Sequence, residues 1–379
     1  MRINIVMGFF LPMPPAAGGA TEKSWHRLSV EFARRGHEVT VVSRTWPGWP
    51  DRETIEGVRH VRIPGHDHSS RLSRNLRMDF FWSLRAGRAL PPAEVTIVNC
   101  VALPLWLGWL RGSAGRLVVM TGRVPKGQYR LYRRVDRILA VSTPVRDAIL
   151  AENPRLGPLI RVCGYPIDWT ALSRPRPGPP SPRPVVIGYV GRIHREKGLD
   201  ILAGALGKLA AIPGLPPWRA LLCGPVSVAQ GGSGEAYARD LAKILAGTLP
   251  VGSWDMSPPV YDEETLVSRY REIDVFCYPS LAARGETFGV AVAEAMAAGS
   301  VPVVSQLPCF SDFLSPGRNG YAFDAGASDA SGRLCSLLAA ILADPAGRAR
   351  MASEARAGVA GYDFVPFADR LLADFSAWM

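Results

Sequence analysis

Ser173-Arg174-Pro175-Arg176-Pro177-Gly178-Pro179-Pro180-Ser181-Pro182-Arg183-Pro184 holds six prolines in twelve residues. Each ring fixes φ and removes an amide donor, so the stretch can join neither a helix interior nor a central strand. It reads as a linker. On its N-terminal side, strand-like runs at 3–8, 39–43, 58–63, 95–99, 117–120 and 137–141 are interspersed with helical stretches such as 22–35 and 144–150. On its C-terminal side the alternation starts again, with strands at 185–190, 218–223, 275–278 and 301–305 and helices at 199–209, 235–245 and 290–298. Alternation of this kind builds a parallel sheet covered by helices, so the chain is α/β with two doubly wound domains facing each other across a hinge. The domains expected are 1–172 and 185–358, joined by 173–184. The last segment, 359–379, has helical spacing in Phe367, Leu371, Leu372 and Phe375 and so one face to bury.

The 379 residues exceed what one hydrophobic core serves, and 47% hydrophobic with 20% charged residues excludes a disordered or collagen-like chain. The six cysteines form no Cys-x-x-Cys pair, which fits a reducing compartment. The most apolar stretch, 95–110, is shorter than the ~20 residues of a membrane span and is broken by Asn99 and Pro104. The first residues lack the pattern of a signal peptide. A cytoplasmic protein is expected, with a peripheral position at the inner face of a membrane suggested by its charge.

That charge is uneven. Of the formal +11, residues 1–172 hold 25 Lys and Arg against 13 Asp and Glu, whereas residues 173–379 are near neutral. A basic first half points to an anionic partner, either a phospholipid surface, a phosphorylated acceptor or nucleic acid, although arginine also serves solubility alone. No nucleic-acid recognition motif is recognisable, so nucleic acid is not expected as a partner. On a helix over 71–88, Leu72, Leu76, Phe80 and Leu84 line one side. Arg71, Arg74, Arg77, Arg85 and Arg88 line the other, with Met78, Phe81 and Trp82 among or beside them. Arginines interleaved with rings suit an anionic membrane surface, while a helix with one buried face and a solvated arginine face is the plainer reading.

Ligands of doubly wound sheets sit at the carboxyl ends of the strands. The loop after the first strand ends in Gly18-Gly19 before a helix, where close backbone approach and the helix N-terminus suit a phosphate, although such a pair also makes a plain tight turn. The second half opens with Gly191-Arg192-Ile193-His194-Arg195-Glu196-Lys197-Gly198, whose Arg192 and Lys197 could both reach a diphosphate. The strongest constellation is Gly285-Glu286-Thr287-Phe288-Gly289, running through Glu294 to Gly299. A loop carboxylate at 286 and a helix carboxylate at 294 can grip opposite ends of one polar ligand, with the N–H groups of Thr287, Phe288 and Gly289 on its phosphate. His66 and His68 have no third ligand, so no metal site is expected.

These motifs, with Arg35-Gly36-His37-Glu38-Val39-Thr40, Asp136 to Ser142 and Pro279-Ser280, resemble the GT-B glycosyltransferases of the large retaining family 4 group. The resemblance implies two Rossmann-like domains facing across a cleft and a hexosyltransferase using a nucleotide diphosphate sugar of UDP or GDP type, with retention and without metal or other cofactor. It implies that Glu286 contacts the donor sugar and Glu294 the ribose. Arg192 and Lys197, helped by the Gly18-Gly19 loop and the amides after Glu286, would neutralise the diphosphate, and the final helix would cross back to the first domain. The acceptor would be a glycan, a small molecule or a lipid-linked or anionic compound. Where the family often carries histidines after the fourth and fifth strands, this chain has Asn99-Cys100 and Thr121-Gly122, so Asn99, Thr121 and Arg123 are the acceptor-side candidates. Where the family has a glycine-rich stretch, it has Ser305 to Phe310. The rival reading is a catalytically silent sugar-nucleotide-binding or membrane-associated scaffold.

Overall fold

In the computed structural model, which describes residues 1–16, 19–69, 71–109, 111–175, 183–283 and 285–378, the chain divides into two compact units. One comprises residues 1–166 with 364–379, the other 167–363.

The first unit has β1 (Arg2–Val6), β2 (Glu38–Arg44), β3 (Arg52–Ile55), β4 (Val58–Ile63), β5 (Val95–Val98), β6 (Arg116–Thr121), β7 (Arg137–Ala140) and β8 (Ile160–Val162). Their order is β3-β4-β2-β1-β5-β6-β7-β8, parallel except for the β3–β4 hairpin. Ile5, Val41 and Ile97 have no exposed surface, as expected of central parallel strands covered on both faces. The hairpin turns on Glu56 and Gly57, both with φ positive, which is the two-residue turn that matches strand twist.

The second unit has β9 (Val185–Val190), β10 (Trp218–Cys223), β11 (Trp254–Ser257), β12 (Val275–Tyr278), β13 (Val301–Ser305) and β14 (Tyr321–Phe323), all parallel in the order β11-β10-β9-β12-β13-β14. Strand order reverses between β1 and β5 in one sheet and between β9 and β12 in the other. Those reversals are where doubly wound sheets bind ligands.

The connection between the units differs from the expected linker. Residues 167–172 belong to the second unit: Ile167 N–H donates to Tyr362 C=O (2.9 Å), Thr170 Oγ1 to the Asp363 carboxylate (2.8 Å), and Trp169 Nε1 to Arg356 C=O (2.9 Å). The chain therefore passes from unit to unit at 166–167, ahead of the proline-rich stretch, and returns at 363–364. Prolines bar a segment from regular structure, but they do not decide where side chains stop packing. Residues 176–182 of that stretch lie outside the described residues.

The last helix, Phe364–Ser376, packs in the first unit. Arg35 Nε donates to Asp369 (2.8 Å), Arg137 Nη2 to Asp374 (2.7 Å), and the guanidinium of Arg27 lies 4.9 Å from the Phe364 ring centre. All six cysteines are free thiols.

The helix Leu72–Ala89 faces inward with Met78, Asp79, Trp82, Ser83 and Ala86. This corrects the expected grouping: Met78 and Trp82, expected among or beside the arginines, are buried, while Leu72, Leu76 and Phe80, expected to line one side together, are exposed. Trp82 decides the rotation, because its indole donates to Met7 C=O (3.0 Å) at the end of β1, a bond that no helical wheel encodes. Among the described residues, no helix is long and apolar enough to cross a membrane.

Candidate functional site

The loop leaving β9 is fastened to its neighbours before it offers any side chain. Gly191 N–H donates to Cys223 C=O (2.9 Å), Ile193 N–H to Pro225 C=O (3.0 Å), and the Tyr189 hydroxyl to Arg192 C=O (2.8 Å). A single 3-10 turn, Arg195–Lys197, follows, capped by His194 Nδ1 accepting from Glu196 N–H (3.2 Å). It ends at Gly198, whose φ is +65° and where a Cβ would stand 2.0 Å from Pro279 C=O. Only glycine allows that approach, and it brings Lys197 against the end of β12.

There Glu286 Oε1 accepts from three donors: Lys197 Nζ, the Tyr278 hydroxyl (2.9 Å) and Ser280 Oγ (3.2 Å). The two charged side chains are 8% and 9% exposed, so each charge is held out of water and depends on its partners for compensation. Burial, and next the Glu286 charge, push the Tyr278 phenol well above its ordinary range, which keeps it a donor to that carboxylate. Lys197 Nζ also lies 5.3 Å from the Tyr278 ring centre. Beside this buried group is a more open one. Arg192 donates through Nη2 to Glu196 Oε1 (2.6 Å) and through Nη1 to Gly231 C=O (2.9 Å), and the same Glu196 oxygen is 3.9 Å from Lys197 Nζ. One carboxylate thus spans both cations expected to meet a diphosphate.

The helix Val290–Ala297 starts after Gly289, which has φ +89° and where a Cβ would lie 2.4 Å from the Phe310 ring. Phe310 belongs to the segment that departs from the family's glycine-rich pattern, and it fills the space beside Gly289. Gly289, as the N-cap, has no side chain with which to cap this N-terminus. The Phe288 ring is buried against Phe313 (5.0 Å) and Tyr362 (5.2 Å), so its side chain faces the core rather than a ligand. Glu294 is half-buried and accepts from Tyr270, whose phenol is raised by burial and then by that carboxylate. Glu286 and Glu294 therefore sit in separate hydrogen-bonded groups. Glu196, Tyr278 and Ser280 were not singled out by sequence as site residues. The rule that ligands gather at the carboxyl ends of switch-point strands points to Tyr278 and Ser280, because β12 is one of the two strands at the reversal.

In the first unit, Gly18 lies outside the described residues. Gly19 has φ +100° and precedes the helix Ala20–Arg34. The first turn of that helix carries Glu22, a buried carboxyl raised by desolvation, lowered in part by its own N–H and by the Arg123 charge. An acid of the chain thus occupies the helix start where a phosphate was expected, and a second anion there would meet like charge. Thr21 Oγ1 and the Tyr165 hydroxyl are 2.9 Å apart. Asn99 follows β5 and donates to Val6 C=O (3.3 Å), Thr121 is buried with its hydroxyl bonded to Tyr129, and Arg123 is exposed. The loop after Asn99 is held from beneath: Asp79 accepts from Val101 N–H (3.1 Å) and Ala102 N–H (2.6 Å), and burial raises its carboxyl to about 6.

Comparison with known proteins agrees with this architecture. Residues 174–358 match the model for glycosyl transferases group 1, and residues 17–158 match that for glycosyltransferase family 4. The chain is 28% identical to a GDP-mannose-dependent alpha-mannosyltransferase of Mycobacterium tuberculosis, over 100% of this chain and 97% of the other. Over 46% of this chain and 41% of the other it is 34% identical to a phosphatidyl-myo-inositol mannosyltransferase of Mycolicibacterium smegmatis. Sucrose-phosphate synthase from Thermosynechococcus elongatus shares its fold, with a TM-score of 0.76 at 20% identity over 100% of this chain and 99% of that one. With both family models covering successive parts of one chain, the protein belongs to the GT-B glycosyltransferases of the family 4 type.

Proposed function

We propose that the second unit binds a nucleotide diphosphate sugar of UDP or GDP type at the ends of β9 and β12, and that the first unit holds the acceptor. The observation that carries this reading is the convergence of Lys197, Tyr278 and Ser280 on Glu286 at the strand reversal, with Arg192 held alongside. Arg192 and Lys197 meet the diphosphate, the amides of Thr287, Phe288 and Gly289 add backbone donors, Glu286 orients the sugar, and Glu294 takes the ribose. GDP is the first base to test, since the mannosyltransferase relative is named as GDP-mannose-dependent.

In this reading the transfer retains configuration. The acceptor oxygen bonds to the anomeric carbon as the bond from that carbon to the phosphate oxygen breaks, and the acceptor proton passes to the departing phosphate. No side-chain base is then required, which suits the absence of a histidine at positions 99, 100, 121 and 122. The two cations carry the charge that develops on the diphosphate, and no metal is part of this reading. The acceptor is a lipid-linked or anionic compound, consistent with the exposed arginines 71, 74, 77, 85 and 88 of the first unit.

The test is titration calorimetry of the purified protein with uridine, guanosine and adenosine diphosphate sugars, followed by assay of sugar transfer or donor hydrolysis. Heat and turnover with one base support the reading. No heat with any of them removes the donor site, and binding without turnover, with or without acceptor, would leave a sugar-nucleotide-binding scaffold.

A further inference from the structure

The helix Leu72–Ala89 shows two kinds of outward surface. Leu72, Leu76, Phe80 and Phe81 are 56%, 49%, 47% and 51% exposed. At about 100° per residue, Leu72, Leu76 and Phe80 climb one flank, while Phe81 stands on the outermost line among Arg74, Arg77, Arg85 and Arg88. The Phe80 and Phe81 rings are edge to face with centres 5.8 Å apart, so they form one protruding pair. All five arginines of 71–88 are exposed, and the single acid of that stretch, Asp79, is buried beneath them on the two loop amides. The outer surface is therefore cationic without an acidic neighbour on its own helix, and apolar at its crest. A second exposed ring lies in the same unit: Trp109, with the Arg134 guanidinium 3.9 Å from its ring centre, follows the segment whose Trp106 donates to Ser83 of the helix (3.1 Å).

We propose that this helix docks on an anionic lipid bilayer, with Phe80 and Phe81 entering the boundary between headgroups and acyl chains and Arg74, Arg77, Arg85 and Arg88 pairing with lipid phosphates. The occupant follows from charge and shape together. A solvated arginine face has no use for two adjacent exposed phenylalanines, and a polyanion without an apolar layer would leave them wet. Docking also bears on the acceptor, because Asp79 ties the inner face of the same helix to the loop after Asn99. The proposal rests on the lipid-linked or anionic acceptor of the reading above, but not on the donor site.

The experiment is flotation with vesicles of phosphatidylcholine alone and of phosphatidylcholine with 30 mol% phosphatidylglycerol, in about 150 mM salt. Wild type is compared with a Phe80→Ser/Phe81→Ser double variant and with an Arg74→Gln/Arg77→Gln double variant. Wild type is expected to float with anionic vesicles only, and each double variant to lose at least tenfold in partitioning while keeping its circular dichroism and melting temperature. Calorimetry with the nucleotide sugar runs in parallel. Lost flotation with unchanged donor heat isolates docking, whereas lost donor heat with intact flotation strikes the donor site alone. Binding that needs the arginines but ignores Phe80 and Phe81 would show a plain polyanion surface and overturn the proposal. So would a wild type that stays with the lipid-free fraction, or one whose phenylalanines prove on light scattering to hold two copies of the chain together.

Discussion

At the scale of single residues, Glu286 is the group on which the proposed donor site turns. Replacing it with Gln keeps the shape but removes the charge that Lys197, Tyr278 and Ser280 surround, so turnover should fall by orders of magnitude when assayed below a melting temperature that the stranded Lys197 ammonium also lowers. Unchanged turnover would take Glu286 out of the chemistry. Glu196 acts through others, because it holds Arg192 and approaches Lys197. Glu196→Gln should raise KM for the donor several-fold and leave kcat less affected, a split that steady-state kinetics at saturating acceptor would reveal. Two buried groups oppose each other in pH dependence. His60, buried beside Arg62 and His26, is held down to about 4 from 6.5, so it contributes stability that is lost as pH falls from about 6.5 towards 4. Asp79, raised from 3.8 to about 6, works in the other direction over nearly the same window. Each is worth about 3 kcal/mol at most. An Asp79→Asn variant should therefore lose stability more steeply than wild type between pH 6.5 and 4 in urea titrations. Parallel curves for the two proteins would deny Asp79 that role.

At the scale of elements, glycines and ion pairs decide how the helices and loops reach the site. Gly198→Ala adds a Cβ that would meet Pro279 C=O at 2.0 Å in a left-handed conformation, so the loop after β9 must move away from β12. Lower melting temperature together with weaker donor binding is expected, and calorimetry showing full affinity would mean that the loop adapts. The last helix depends on Arg137, which is buried and paired with Asp374. Asp374→Ala strands that guanidinium and should destabilise the first unit by about 3 kcal/mol, measurable by urea unfolding. Most elements were legible as apolar runs of the right length. The strands that were not are short or polar: β3 reads Arg-Glu-Thr-Ile, β8 Ile-Arg-Val, β11 Trp-Asp-Met-Ser and β14 Tyr-Ala-Phe. All four are edge strands and only partly buried, so they carry little apolar periodicity.

At the scale of the whole molecule, binding and folding are linked. A nucleotide sugar at 100 times its Kd stabilises the protein that holds it by about 2.7 kcal/mol. Thermal unfolding against a panel of nucleotide sugars should thus rank the bases, and Arg192→Ala with Lys197→Ala should abolish the shift. A shift that survives this double variant would place the diphosphate elsewhere. The sequence alone determined the class of the two halves, the basic excess of the first and the motifs that make Arg192, Lys197 and Glu286 candidates, because apolar runs, charge counts and loop motifs are local properties of a chain. Tertiary structure decided the rest. It set the passage between units at 166–167 and 363–364 through packing of 167–172. It also turned Trp82 inward and Phe80 outward, and placed an acid of the chain at the helix start after Gly19. It gathered Tyr278, Ser280 and Glu196 around the three predicted charges. Those outcomes depend on which hydrogen bonds and packing partners are satisfied across tens or hundreds of residues, and no spacing along the chain records them.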